Sequence, residues 1–371
     1  MHIGINATVV GRVVTGVTRY ITELTNHLAA GEALTAYTRN SPEVFDWFDR
    51  GARVRAQVWA GSRVGRALGR AIMFPYLARR DHLDVFHEPG YFVTLAMPCP
   101  TVVTVHDVRS IACPGLSPVL RGLAMRLTLA QTLRRVTRII AVSGFTKSEL
   151  LRTYDLDESK ITVVHHGCNP AFSRAPDQAE AARVRTKYGL PDRFVLTVGR
   201  HEPRKNQPRL IEAYSRVRSQ GCSHFLVIAG EESFGSAEVY RAIEAFNVGP
   251  YVRILGQVDD CDLPCLYHLA DAFVFPSLYE GFGMPLLEAF NAGVPVIASH
   301  VCSHEEIAAG AALLCDPMDC HDIATGITRV LSSSSVAGEL VRRGRLRADA
   351  FGWQQAAEAT LRVYERAVEH A

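Results

Sequence analysis

The stretch Asp271-Ala-Phe-Val-Phe-Pro-Ser-Leu-Tyr-Glu280-Gly-Phe-Gly-Met-Pro-Leu-Leu-Glu288 carries more meaning than any other in this chain. The apolar run from Asp271 to Phe275 reads as a strand, and the turn after it holds Gly281 and Gly283. Pro285 suits the first position of a following helix, where its missing N–H would have no intrahelical acceptor anyway. Two carboxylates stand eight positions apart, Glu280 in the glycine turn and Glu288 expected in the first turn of the helix. A helix start presents unpaired N–H groups to oxygen-rich or anionic ligands. Glycines let such a ligand come close to the backbone. Strand, turn and helix start together make a holder for a sugar joined to a phosphate.

Around this stretch, short β-branched or apolar runs alternate with helical ones. The strand candidates are 2–6, 34–38, 53–58, 84–87, 101–105, 138–142 and 161–164, then 194–198, 225–229, 252–255, 272–275, 295–298 and 312–314. Alternation of this kind predicts parallel sheets covered on both faces. Two such series predict an α/β protein of two doubly wound, Rossmann-like domains facing a cleft, with ligands beyond the strand C-termini. The break is expected near 170–192, where Asn169-Pro170, the polar run from Ser173 to Asp177 and Gly189-Leu-Pro191-Asp192 punctuate a polar helix. The domains are then 1–170, on the acceptor side, and 171–350, binding the nucleotide. A final helix over 351–371 is expected to pack back on the first domain.

A chain of 371 residues is longer than one core usually organises, which agrees with two domains. Its 48% hydrophobic and 21% charged residues place it with soluble globular proteins rather than disordered chains. No apolar run reaches the roughly 18–20 residues of a spanning helix. The chain enters a strand at once, with no basic segment and apolar core before it, so no signal peptide and a cytoplasmic location are expected. Nine cysteines are scattered, and only Cys261 and Cys265 sit close. No second pair at zinc spacing accompanies them, so they read as reduced thiols.

The net charge of +2 hides an asymmetry. Residues 1–170 hold 20 Lys and Arg against 13 Asp and Glu, and the remainder holds 20 against 25. Basic residues gather at Arg63, Arg66, Arg70, Arg79 and Arg80, interleaved with Val64, Leu68, Ile72, Met73, Phe74 and Leu77. A second group is Arg121, Arg126, Arg134, Arg135 and Arg138. Such stretches suit an anionic membrane surface or an acidic acceptor, or are simply solvated helix faces. Neither carries the regular aromatics of base stacking, which argues against nucleic acid.

Several other positions carry chemistry. Gly199-Arg200-His201-Glu202-Pro203-Arg204-Lys205-Asn206 follows a strand and offers three cations before a helix, either a diphosphate site or a solvated turn. It lacks the Gly-Lys-Ser/Thr ending of a P-loop. Thr15-Gly16 opens a helix after the first strand, and the run from Gly11 to Gly16 is not a dinucleotide fingerprint. His106-Asp107 ends another strand. Adjacent strand residues face opposite ways, so His106 reads better as a substrate contact than as half of a relay. His87-Glu88 reads as a plain strand end that could also touch an acceptor. Asp155-Leu-Asp157 and Asp260-Cys-Asp262 match a short metal pattern that is too common to carry a metal site.

With these motifs set out, the chain resembles the retaining glycosyltransferases of family 4 (glycosyl transferases group 1), and among them mannosyltransferases. The resemblance runs nearly full length: Gly16, Thr-Val-His106-Asp107, Ala141-Val-Ser143, Val163-Val-His-His-Gly167, Gly199-Arg200 with Lys205-Asn206, the Glu280 and Glu288 motif, Ala292-Gly293-Val-Pro295-Val-Ile-Ala-Ser299, and Ala312-Leu-Leu-Cys-Asp316-Pro317. Two departures stand out: one glycine in the first turn where relatives often have two, and Glu305 in Ser303-His304-Glu305-Glu306 where many carry proline.

The resemblance implies a GT-B fold. It also implies that Arg200 and Lys205 clamp the donor diphosphate, Glu288 meets the ribose and Glu280 the transferred sugar. Backbone N–H groups of Phe282, Gly283 and Met284 would meet sugar or phosphate oxygens, and Gly256, Gln257 and Val258 would line the base pocket. From the first domain, His106 would approach the sugar and Gly16 the phosphate. The expected donor is GDP-linked, with UDP- and dTDP-linked sugars as alternatives. The expected acceptor is a saccharide or lipid-linked oligosaccharide in surface polysaccharide synthesis, with neither metal nor other cofactor. Rival readings are a sugar-nucleotide epimerase or phosphorylase on the same fold, or a catalytically dead binding protein.

Overall fold

The apolar runs do become strands. In the computed structural model, which describes residues 1–10, 15–39, 47–48, 51–57, 63–90, 97–109 and 119–370, thirteen strands form. Gly11 lies outside the described residues, as do the side chains of Arg63, Val64, Arg66, Leu68, Arg70 and Arg121. The chain divides into two compact units, Met1–Gly167 with Gly352–Ala371, and Cys168–Phe351.

The first unit holds β1 (His2–Asn6), β2 (Ala33–Arg39), β3 (Arg53–Gln57), β4 (Val85–Glu88), β5 (Thr101–Val105), β6 (Arg138–Ala141) and β7 (Ile161–Val163). They lie in the order β3-β2-β1-β4-β5-β6-β7, every neighbouring pair parallel. Helices such as Gly16–Ala29, Arg63–Arg80 and Val119–Arg135 carry the chain back between strands. The helix Trp353–Glu369 buries Trp353, Ala356, Ala357, Thr360, Val363, Tyr364 and Ala367 at helical spacing, and most of them enter the core cluster of Ile3, Ile5, Ile21 and Leu24. Each large apolar side chain buried this way contributes about 1.5–3 kcal/mol. Gly167 has to be glycine, because a Cβ there would lie 2.3 Å from the backbone nitrogen of Trp353. Buried polar groups extend this packing: the Tyr364 hydroxyl meets His87 Nδ1 (2.6 Å), and His87 Nε2 meets Thr104 Oγ1 (2.8 Å).

The second unit holds β8 (Phe194–Val198), β9 (Phe225–Ala229), β10 (Val252–Gly256), β11 (Ala272–Phe275), β12 (Val296–Ser299) and β13 (Leu313–Cys315). Their order is β10-β9-β8-β11-β12-β13, again all parallel. Helix Gln207–Ser219 presents Leu210, Ile211, Tyr214 and Val217 to a core shared with Val195, Leu226 and Ile228. In each sheet the winding reverses once, between β1 and β4 and between β8 and β11. Loops leaving the C-terminal ends of strands at such a reversal splay apart, and that is where open α/β sheets bind ligands. No helix among the described residues is long and apolar enough to cross a membrane.

Neither Asp-x-Asp pattern gathers metal ligands: no group of three or more His, Cys, Asp or Glu among the described residues could hold an ion. Asp157 caps a short 3-10 turn through Ser159. Asp262 is fully buried and accepts from Arg183 (2.6 Å), Lys187 (2.6 Å) and Tyr188 (3.0 Å). Burial pushes its carboxyl pKa up, but these three donors outweigh that and hold it below the usual carboxylate range. A carboxyl shifted down on folding contributes stability that is complete above its unfolded value, about 3.9, and is lost as pH falls toward the folded value. Asp262→Ala should therefore lower stability at pH 7 by about 1–3 kcal/mol, with a deficit that shrinks in acid. Urea melts of both proteins at pH 7 and pH 3 check this; an equal deficit at both would remove the ionic role.

Candidate active site

β8 leads into Gly199, at φ +153°, where a Cβ would lie 2.9 Å from Lys205 Cε. On the next strand, a Cβ on Gly230 would lie 2.1 Å from the Gly199 carbonyl oxygen. Two glycines thus let the strand ends close on each other. The Gly199 N–H donates to Ala229 O (2.8 Å) and the Gly230 N–H to Gly256 O (2.8 Å), which laces the ends of β8, β9 and β10. A single 3-10 turn, Pro203–Lys205, follows, and Asn206 stops it in the left-handed region at φ +58°. The buried Asn206 amide donates to Pro276 O (3.1 Å) and Pro317 O (2.7 Å). Leu278 donates its N–H to Arg204 O (2.7 Å). These bonds bring the cationic turn after β8 onto the acidic turn after β11, its neighbour in the sheet.

Glu280 sits at the meeting point. Its Oε1 accepts from Lys205 Nζ (2.8 Å) and Arg204 Nη1 (2.5 Å), while Arg204 Nε also donates to Glu202 (2.7 Å). The Lys205 ammonium lies 4.4 Å from the centroid of Phe275, over the ring face. Burial pushes Glu280 up, but the charges of Arg204 and Lys205 overcome it and pull the carboxyl down to about 2. Burial and the Arg204 charge lower Lys205, Glu280 restores part of that, and the ammonium ends at about 8.

Gly283, at φ +93°, caps the helix Met284–Ala292. That helix starts one residue earlier than Pro285 suggested, so Pro285 holds its second position and Glu288 its fifth. Glu288 therefore lies beyond the first turn, which corrects the expected placement. It is buried and accepts from the Tyr267 hydroxyl (2.8 Å). Gly256, at φ +66° with open space where a side chain would project, ends β10. Exposed Gln257 and half-buried Val258 follow on the same edge of the sheet as Gly199.

The other expected residues fall as follows. Arg200 stands at the end of β8, half exposed, and pairs with Glu231 (3.1 Å), while Arg204 and Lys205 both meet Glu280. Phe282 is buried, its ring in a T-shaped contact with Phe351. In the first unit, Gly16 is the first residue of its helix, behind a capping box in which Thr15 and Thr18 exchange bonds. His106 Nε2 meets Pro89 O (3.0 Å) and its ring stands edge-on to Tyr20 at 4.9 Å. Burial lowers its pKa to about 4, so the ring is neutral near pH 7. Asp107 accepts from the Arg109 N–H. The resemblance gave no role to Arg204 or Tyr267. Arg204 was visible as the third cation of its motif, whereas no sequence signal joins Tyr267 to Glu288.

Two family models cover most of the chain. The one described as Glycosyltransferase Family 4 matches residues 14–172, and the one described as Glycosyl transferases group 1 matches residues 179–347. O-antigen chain mannosyltransferase B of Escherichia coli is 30% identical over 368 residues, covering 95% of this chain and 96% of that protein. Serotype-specific mannosyltransferase WbdA of Escherichia coli is 28% identical over 293 residues, 76% of this chain but 36% of that longer protein. Among solved structures, sucrose-phosphate synthase from Thermosynechococcus elongatus aligns at a TM-score of 0.83 and 22% identity, covering 100% of this chain and 99% of that one. The chain belongs to the family 4 glycosyltransferases, and its two Rossmann-like units are those of the GT-B fold.

An anion held by Lys205 needs the ammonium charged, and a lysine shifted down loses that charge as pH rises through its pKa. Pyrophosphate affinity should therefore fall as pH rises through about 8. Calorimetric titration of wild type beside Lys205→Met from pH 6.5 to 9.5 separates this from the titration of pyrophosphate itself, and identical profiles would exclude Lys205 from anion binding.

Proposed function

We propose that this glycosyltransferase moves a mannosyl group from GDP-mannose, with retention of anomeric configuration, to a saccharide or lipid-linked oligosaccharide in surface polysaccharide synthesis. One observation carries the reading: Arg204 and Lys205 converge on Glu280 at the β8–β11 reversal, beside a glycine-capped helix start. That combination supplies two cations and backbone donors for a diphosphate, and a carboxylate for sugar hydroxyls. A carboxylate has about four acceptor positions, so Glu280 can keep its cations and still accept from a hydroxyl. Glu288 accepts from Tyr267 and, as a carboxylate, can also accept from a ribose hydroxyl. The names of the two mannosyltransferase relatives support the choice of sugar.

In this reading the bond between the anomeric carbon and the departing diphosphate breaks as an acceptor oxygen bonds to the same face. The acceptor proton passes to the leaving diphosphate. Arg204, Lys205 and the helix start stabilise the charge that builds there. Because protein groups carry that task, turnover should be unchanged by a chelator. A lipid-linked acceptor would also bring the protein to the cytoplasmic face of an anionic membrane, which the exposed Arg79, Arg80, Arg126, Arg134 and Arg135 would favour.

A native-state ligand raises the melting temperature, so a panel of GDP-, UDP- and dTDP-sugars identifies the donor. GDP-mannose is expected to give the largest rise; a larger one with a UDP- or dTDP-sugar would transfer the proposal to that donor. Lys205→Ala should lower kcat/KM about 10²–10³-fold, as loss of one stabilising donor does. Near-normal transfer by that variant would refute the assigned role.

A further inference from the structure

The segment from Ser299 to His304 belongs to no role assigned above, yet it holds the donor turn from below. The Ser299 hydroxyl donates to Ser277 O (2.6 Å), Cys302 Sγ to Leu278 O (3.5 Å), and the single Ser303 hydroxyl proton is shared between Phe282 O (2.8 Å) and, at longer range, Glu280 O (3.1 Å). Four carbonyls of the turn that carries Glu280 are thus taken by side chains of one neighbouring segment. Beneath Gly283, the ring of His304 comes so near that a Cβ there would meet its Cδ2 at 3.1 Å. The ring is itself fixed. The single Ser299 hydroxyl proton serves Ser277 O, so Ser299 Oγ accepts from His304 Nδ1 at 2.8 Å. Ser299, Ser303 and His304 are all fully buried.

A trans peptide is planar, and its C=O and the following N–H point in opposite directions. A bond that holds the Phe282 carbonyl toward Ser303 therefore turns the Gly283 N–H away from it. Gly281 and Gly283 have no side chains to resist other orientations, and glycine populates both signs of φ about equally. Something outside the turn has to choose the orientation, and the hydroxyl of Ser303 reaches both carbonyls.

We propose that Ser303 is a positioning residue for the donor: by holding the Phe282 carbonyl, and more weakly that of Glu280, it aims the Gly283 N–H group at the sugar and phosphate oxygens. It touches no substrate and acts through the turn. The proposal rests on the donor reading above, because it needs a ligand on the far side of that turn.

The test compares wild type, Ser303→Ala and Ser303→Thr, which keeps the hydroxyl. Hydrogen exchange of residues 280–284 is measured in the ligand-free proteins, and donor KM and kcat in a transfer assay. In Ser303→Ala the loop amides should exchange faster and donor KM should rise about tenfold, the scale of one lost hydrogen-bonding group. Exchange elsewhere in the second unit should stay unchanged, and Ser303→Thr should sit near wild type. If Ser303→Ala does not fold, Ser303→Cys, a weaker donor of similar size, takes its place with the same expected direction. Wild-type loop exchange together with wild-type donor KM in the alanine or cysteine variant overturns the proposal, as does faster exchange spread over the whole unit. Wild-type protein that transfers from no nucleotide sugar would instead defeat the donor reading, and the exchange data would still judge the hold on the turn.

Discussion

The second unit depends on one largely buried ionic contact, Glu280 with Arg204 and Lys205. Removing a charge from water costs several kcal/mol even after relaxation, so none of the three could occupy this place alone. The carboxylate steadies both cations, and their charges hold it ionised against its burial. The contact joins two turns that are far apart in the chain and adjacent only because β8 and β11 pair in the sheet. Asn206 and the Leu278 amide hold the same two turns together through neutral bonds. The cations are therefore in place before any ligand arrives. Ordering a free side chain on binding costs about 0.5–1.5 kcal/mol, and here folding has already met that cost.

The first unit repeats the architecture with different chemistry at its own reversal. Between the ends of β1 and β4, both oxygens of buried Glu88 accept from the amide of Asn6 (2.9 and 2.7 Å). Behind it, a buried chain runs from Tyr364 through His87 to Thr104, whose Oγ1 also meets the Tyr20 hydroxyl (2.8 Å). Burial drives His87 down to about 3, so it serves there as a neutral hydrogen-bonding ring. The shared strand order supports a lysine–arginine–glutamate cluster at one reversal and, at the other, a carboxylate held by an amide beside a hydroxyl–imidazole chain. Fold alone does not set the chemistry of a site.

Much of the architecture could be read from the chain. A fully buried parallel strand is a short apolar run bounded by turns, and helices between such runs leave few other topologies. That is why all thirteen strands stand where the runs stand, within a residue or two. The helix after β11 was misphased by one residue because Gly283 adopts the left-handed region and takes the cap, which leaves Met284 to start the helix. One residue moved Glu288 out of the first turn. Arg200 and Arg204 look equivalent as letters. Only the 3-10 turn, closed by a left-handed Asn206, sends Arg204 toward Glu280 and leaves Arg200 with Glu231.

The amino-acid order by itself determined the local units: which runs become strands, which glycines permit a close approach, and which turns carry charge. These depend on side-chain size, backbone freedom and periodicity, all of which act over a few residues. Tertiary structure alone decided the partners. Tyr267 with Glu288, Lys205 with Glu280 and Ser303 with the Glu280 and Phe282 carbonyls join residues 21 to 75 positions apart. Such a bond forms only when sheet order brings two loops to the same edge, and no short window of sequence records that order.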